Sequence, residues 1–287
     1  MADFDDARRR ALIADLLRPL LGRPVDLLPF DEVRERLKLR HLVDRGVVEV
    51  PLSSIVGTIG REREFSRAFL PREESLRGRW DGVRNLAEGN RGFDAVDLYQ
   101  VGDAYFVVDG HHRVSVARAF GAPTIEARVR EFVTPVPLDA DTDVEDLVMR
   151  GGLADFLDAT GLELEHPDEY LVSEADAYDR LLEHVSAHRY FLGLDLGRPV
   201  SREEAVASWR ETVYLPMVEA IRSSGVLREF PGKTETDLYL FLMDHLHYLR
   251  QQGQPGLAPS QAIDDYVDAH RERRGEGWRR LVAWIRS

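Results

Sequence analysis

The chain of 287 residues contains no cysteine. That removes disulfide scaffolds, thiolate zinc sites, iron–sulfur clusters and every thiol nucleophile from consideration. Long apolar runs are missing too. Nothing approaches the ~18 consecutive apolar residues that a membrane span requires, and the opening stretch MADFDDARRR is charged throughout. The expectation is a cytoplasmic protein with no membrane partner. Internal repeats and low-complexity tracts are absent as well. Excess positive charge is the last thing the chain lacks. Residues 1–50 carry 10 acidic and 10 basic side chains and residues 51–135 carry 12 of each, whereas residues 136–287 carry 29 acidic against 16 basic. The whole net charge of −13 therefore lies in the last half. Such a half repels nucleic acid, whose affinity comes mainly from cation–phosphate contacts, so DNA is disfavoured as a partner. What is present, 44% hydrophobic and 31% charged residues, suffices for a packed core.

Three segments follow from the patterning. Residues 1–46 read as two packing helices. Leu12, Ile13, Leu16, Leu17, Leu20 and Leu21 recur at helical spacing before Gly22 and Pro24, and Asp31 caps a second helix through Val33, Leu37, Leu39 and Leu42, closed by Gly46. Residues 47–135 alternate between strand and helix signals: strand 47–50, a polar loop Gly57–Arg61, a helix from Pro71 to about Ala87, a hairpin through Val96–Val101, Gly102-Asp103 and Tyr105–Val108, a helix after Arg113, and a closing strand on Ile125, Ala127 and Val129. This is an α+β pattern with a small mixed sheet. Residues 136–287 are acidic and periodic in the helical manner, so the second boundary is placed after Pro135.

Chemistry concentrates in one stretch. A buried strand runs into Asp109-Gly110-His111-His112-Arg113, which opens directly into a helix. The first amides of a helix have no intrahelical acceptors and lie at the positive end of its dipole, which makes the corner a ready anion site. Gly110 lets the backbone approach a ligand, Arg113 offers a bidentate grip, and His111 and His112 donate when protonated. Asp109 can orient a histidine or meet Mg²⁺ through water. The competing reading is structural: Asp109 caps the helix and a histidine satisfies buried carbonyls.

The run Asp109–Arg113 through Gly121, followed by Thr124-Ile125-Glu126-Ala127, resembles the ParB/sulfiredoxin superfamily, as does the upstream Val50-Pro51-Leu52-Ser53-Ser54-Ile55. The resemblance spans roughly residues 47–132. It implies a ParB-like N-terminal fold and a site for nucleotide phosphates (ATP, ADP or CTP, with Mg²⁺) at residues 110–113, followed by an uncharacterised helical extension. Sulfiredoxin activity needs a cysteine in the turn and is excluded. The free-serine kinases of the superfamily share a similar turn and use an acidic residue in the loop after the first strand; the nearest counterpart here is Glu62 or Glu64, with Asp109 the other candidate to position the nucleophile, and Arg61 in the same loop is the added phosphate ligand. The reading that emerges is an NTP-dependent phosphotransferase or NTPase with a small-molecule acceptor. The alternatives are a nucleotide-gated regulator of DNA or protein, for which a homodimer is implied, and a metal-dependent nuclease.

Other signals read as structure. Arg61, Arg63, Arg67, Arg72, Arg77 and Arg79 are offset by Glu62, Glu64, Glu73 and Glu74. His184 and His188 share a helix face but have no third ligand nearby, so no metal site is assigned. Gly232-Lys233-Thr234 lacks the upstream glycine of a P-loop, and Thr234 with Asp237 reads as a helix cap.

Overall fold

The hairpin at Gly102-Asp103 is the seed of the sheet. Strands β4 (Val96–Val101) and β5 (Ala104–Asp109) pair antiparallel across it, with Leu98, Val101, Ala104, Phe106 and Val107 buried. The structure is a computed structural model that describes residues 3–21, 24–89, 94–166, 168–174, 176–253 and 258–268. The elements before this hairpin include α1 (Phe4–Leu17), β1 (Leu28–Pro29), α2 (Phe30–Arg36), β2 (His41–Pro51) and β3 (Ile55–Thr58). Then follow α3 (Arg77–Glu88), α4 (His111–Ala119), β6 (Thr124–Val133) and α5 (Val144–Thr160). The sheet is mixed, in the order β1-β3-β5-β4-β6-β2. Strands β3 and β5 run parallel, as do β4 and β6, while β2 lies antiparallel to β6 at one edge. Trp80, Phe65, Phe69, Val96, Leu98, Val114 and Ile125 belong to one core.

Chain contacts divide the molecule into two compact units, residues 1–154 and 155–287. The expected boundary at 135/136 is therefore moved. Residues 136–142 dock on the sheet: Asp103 donates to the Leu138 carbonyl at 2.8 Å, Val136 and Leu138 are buried, and the buried Arg67 donates to the carbonyls of Ala140 and Thr142. The acidic side chains of this stretch face outward while its backbone belongs to the first unit. The boundary expected at 46/47 falls inside β2. The helix expected through Leu39 and Leu42 stops at Arg36, with Pro29 at its N-cap position, and His41–Pro51 is a strand. Leucines at near-helical spacing mimic a helix, but ten residue pairs with β6 outweigh that local signal. α1 is helical as expected, yet it packs through Phe4, Ala7 and Ala11, leaving Leu12, Ile13, Leu16, Leu17 and Leu20 half or more exposed.

The second unit is helical: α6 (Ala177–Leu196), α7 (Arg202–Trp209), a π-helical turn at Arg210–Tyr214, α8 (Leu215–Ser224) and α9 (Glu235–Gln251). Its core is aromatic, with Trp209 stacked on Tyr170, tilted against Tyr214 and edge-on to Tyr239. The helical segment expected at 276–285 lies outside the described residues. Among the described residues no helix is long and apolar enough to cross a membrane.

Candidate functional site

Because β3 and β5 are parallel neighbours, their carboxyl ends finish on the same rim of the sheet, which is where open α/β sheets place their ligands. The loop after Thr58 and the turn after Asp109 therefore meet. Between them and α3 lies a hollow of about 360 Å³ lined by Ile59, Arg61, Arg79, Val83, Val108 and the run Asp109–Arg113. Six residues nominated from sequence, Arg61, Asp109, Gly110, His111, His112 and Arg113, thus come together. Glu62 and Glu64 do not join them. Glu62 accepts the Gly60 amide at 2.8 Å and Glu64 accepts from Arg61 at 3.3 Å, so both carboxylates shape the loop.

Gly110 makes the corner. Its φ of +95° is left-handed, and a β-carbon there would stand 2.5 Å from Val96 Cγ1 and 3.1 Å from Arg113 Cζ. Only glycine turns the chain this sharply against β4. α4 starts at the next residue with no side-chain cap, so the amides of His111, His112 and Arg113 are left without the usual serine or aspartate partner.

Arg113 has a different role from the phosphate grip expected of it. Nη1 donates to the carbonyls of Asp94 and Ala95 at 2.7 and 3.0 Å, and Nη2 donates to Asp109 at 2.7 Å. The guanidinium braces the turn against the start of β4. His111 also turns inward: Nε2 is 2.6 Å from Thr58 Oγ1, and its ring packs on Phe65 and Phe69. His112 is half-buried, its ring edge-on to Phe65, and among the described residues neither ring nitrogen has a hydrogen-bond partner or solvent access.

The free cations come from elsewhere. Arg79, on the first turn of α3, is exposed and has no hydrogen-bond or ion-pair partner among the described residues, and Arg61 makes only the long contact with Glu64. Trp80 fixes the helix that carries Arg79, donating from its indole to Ser115 Oγ of α4 at 3.0 Å. The field of these arginines is felt by the histidines. Burial first, then Arg61, pushes His111 down to about 4; burial, then Arg61 and Arg79, does the same to His112. Both imidazoles are neutral at pH 7, in a hollow that holds three guanidinium groups and one carboxylate. Sequence reading had merged Arg79 with a solvated basic run, because nothing local distinguishes it from Arg77, which pairs with Asp5 and Glu74.

A larger cavity, about 790 Å³, lies in the helical unit beside Tyr170 and Tyr214. Its two arginines are already matched, Arg210 with Glu165 and Glu169 and Arg222 with Glu235. His184 and His188 bond separate partners, Tyr239 and Ser208. Among the described residues no group of three histidines, aspartates or glutamates is arranged to hold a metal ion. Thr234 and Asp237 form the expected capping box of α9. No family model matches this chain, and no curated protein matches it.

Proposed function

We propose that the hollow at the start of α4 binds the phosphates of a nucleoside di- or triphosphate, and that the first unit is a nucleotide-binding domain of the ParB/sulfiredoxin type. The observation carrying this reading is the uncapped α4 terminus behind left-handed Gly110, faced by the uncommitted guanidinium of Arg79 and the weakly committed one of Arg61. Phosphate oxygens would take the bare amides and the two arginines, while Arg113 keeps the turn in shape. Among the described residues Asp109 is the only carboxylate lining the hollow, so Mg²⁺ would arrive with the nucleotide and meet the protein through this group.

Phosphoryl transfer or hydrolysis is the chemistry such a site supports, since it depends on placement and charge neutralisation. Asp109 is then the group that positions the attacking hydroxyl or water, with a small hydroxyl compound as acceptor in the manner of the free-serine kinases. The positions of Glu62 and Glu64 favour a second reading: with neither in the hollow, the unit binds nucleotide and acts as a gated regulator without catalysis. The acidic second half directs that reading toward a protein rather than DNA.

Calorimetric titration with ATP, ADP, CTP and GTP, with and without Mg²⁺, tests the binding. Arg61→Ala and Arg79→Ala are each expected to weaken the bound nucleotide about tenfold with unchanged thermal stability, the size of one lost charge-assisted contact. Equal affinity in both variants refutes the site. Analysis of products after incubation with the bound nucleotide separates transfer and hydrolysis from passive binding.

A further inference from the structure

Strand β2 is an edge strand of eleven residues, and every residue from His41 to Glu49 is exposed. Leu42, Val43, Val47 and Val48 show 38–53% of their surface to solvent, on both faces of the sheet. An edge this long carries a row of unpaired backbone groups and is a template for another strand. We propose that β2 pairs antiparallel with β2 of a second copy of this chain, about a two-fold axis between Asp44 and Arg45, joining two sheets into one.

The register follows from the bulge. In an antiparallel pair, residues directly opposite must both point their backbone groups toward each other or both away. In an unbroken strand these two states alternate, but the pairing of β2 with β6 slips by one residue between Asp44 and Gly46. His41 and Val43 are therefore in the same state as Gly46 and Val48, and Leu42 in the same state as Val47 and Glu49. A two-fold pairing of β2 with itself that uses the strand on both sides of the bulge keeps like opposite like in two registers alone, with the axis between Asp44 and Arg45 or between Arg45 and Gly46. The second matches Val43 with Val48 but sets Leu42 against Glu49 and Val47 against Asp44, each of these apolar against charged twice over. The first sets Leu42 against Val47, His41 against Val48, Arg40 against Glu49 and Asp44 against Arg45. Each of these contacts occurs twice, as a self-complementary interface requires. The bulge that usually spoils an edge here lies on the axis, opposite its own copy. Arg40 is exposed and makes no ion pair among the described residues, so its charge is free for Glu49 of the second copy.

The full chain is expected to sediment as a dimer. Arg40→Glu places like charges opposite each other twice and is expected to weaken the dimer about tenfold, with the double variant R40E/E49R restoring it to within about threefold. Circular dichroism checks that Glu49→Arg, which also loses the Thr124 contact within the protomer, leaves the fold intact. The absence of native cysteine allows a sharper test. Mixing Leu42→Cys and Val47→Cys chains under oxidation is expected to yield the mixed cross-linked dimer. Either variant alone would hold its two sulfurs about five residues, or ~17 Å, apart along the strand, beyond the ~7 Å reach of a disulfide between α-carbons. A monomer at all concentrations, a dimer indifferent to Arg40→Glu, or cross-linking of each variant with itself overturns the proposal.

Discussion

Two helices of this protein begin in opposite ways. At α9 the Thr234 hydroxyl accepts the Asp237 amide at 3.1 Å, and the Asp237 carboxylate returns to the Thr234 amide at 2.8 Å and also takes the Ser173 amide. At that corner the cap side chains are spent on the chain's own amides. At α4 the turn residue is a glycine, no side chain caps the helix, and the flanking side chains are pulled elsewhere: Arg113 to backbone carbonyls, His111 to Thr58. Both corners are polar in sequence. The difference is that one spends its side chains on its own amides and the other spends them on holding a shape. The corner proposed to hold nucleotide is the one where the cap has been left out and the brace put in.

The largest effect expected from this contrast is at Gly110. Gly110→Ala drives a methyl into Val96 at a left-handed φ, and a loss of about 4 kcal/mol in denaturant unfolding is expected, with nucleotide binding abolished. A variant of near-native stability would erase the distinction drawn here. Acid comes next. His111 sits at about 4 in the folded protein and near 6.5 when unfolded, so the unfolded chain binds the proton more tightly between these values. Its contribution is complete above pH 6.5 and is lost as the pH falls toward 4, about 3 kcal/mol in all. In His111→Gln the gap between unfolding free energies at pH 4.5 and 7.5 is expected to narrow by most of that amount, with His112, also held at about 4, keeping an acid dependence of its own. At the capped corner, Thr234→Ala is expected to cost about 1–2 kcal/mol and leave nucleotide affinity untouched. The smallest effect belongs to Gly232, also left-handed at φ +81° but with nothing near its missing β-carbon. Gly232→Ala is expected to cost about 1 kcal/mol, from backbone strain alone.

Some of this was readable beforehand. The hairpin at Gly102-Asp103, a helix following the Asp109–Arg113 run, the alternation of Ile125, Ala127 and Val129, and the Thr234 cap are all written in signals a few residues long, although that helix begins at His111 and not after Arg113. The site was half readable. Asp109–Arg113 announces itself as one run, and Arg61 by its place after a strand and between glycine and glutamate. Arg79 is thirty residues from that run and reaches it only through the packing of α3 on α4. Glu62 and Glu64 have the right chemistry and fold back onto their own loop. The misread stretch 37–46 shows the same limit: its leucine spacing favours a helix until β6, eighty residues later in the chain, offers a ladder.

By itself the sequence determined which segments carry turns, which faces are apolar, and that one corner concentrates donors beside a glycine, because those properties depend on neighbours within a turn or two. Tertiary structure alone decided which donors remain free. Arg113 and Arg79 are chemically alike, and the carbonyls of Asp94 and Ala95 engage the first while nothing among the described residues engages the second. Hydrogen-bond partners are assigned by distance in space, and a charge can bind a ligand only after the fold has declined to use it.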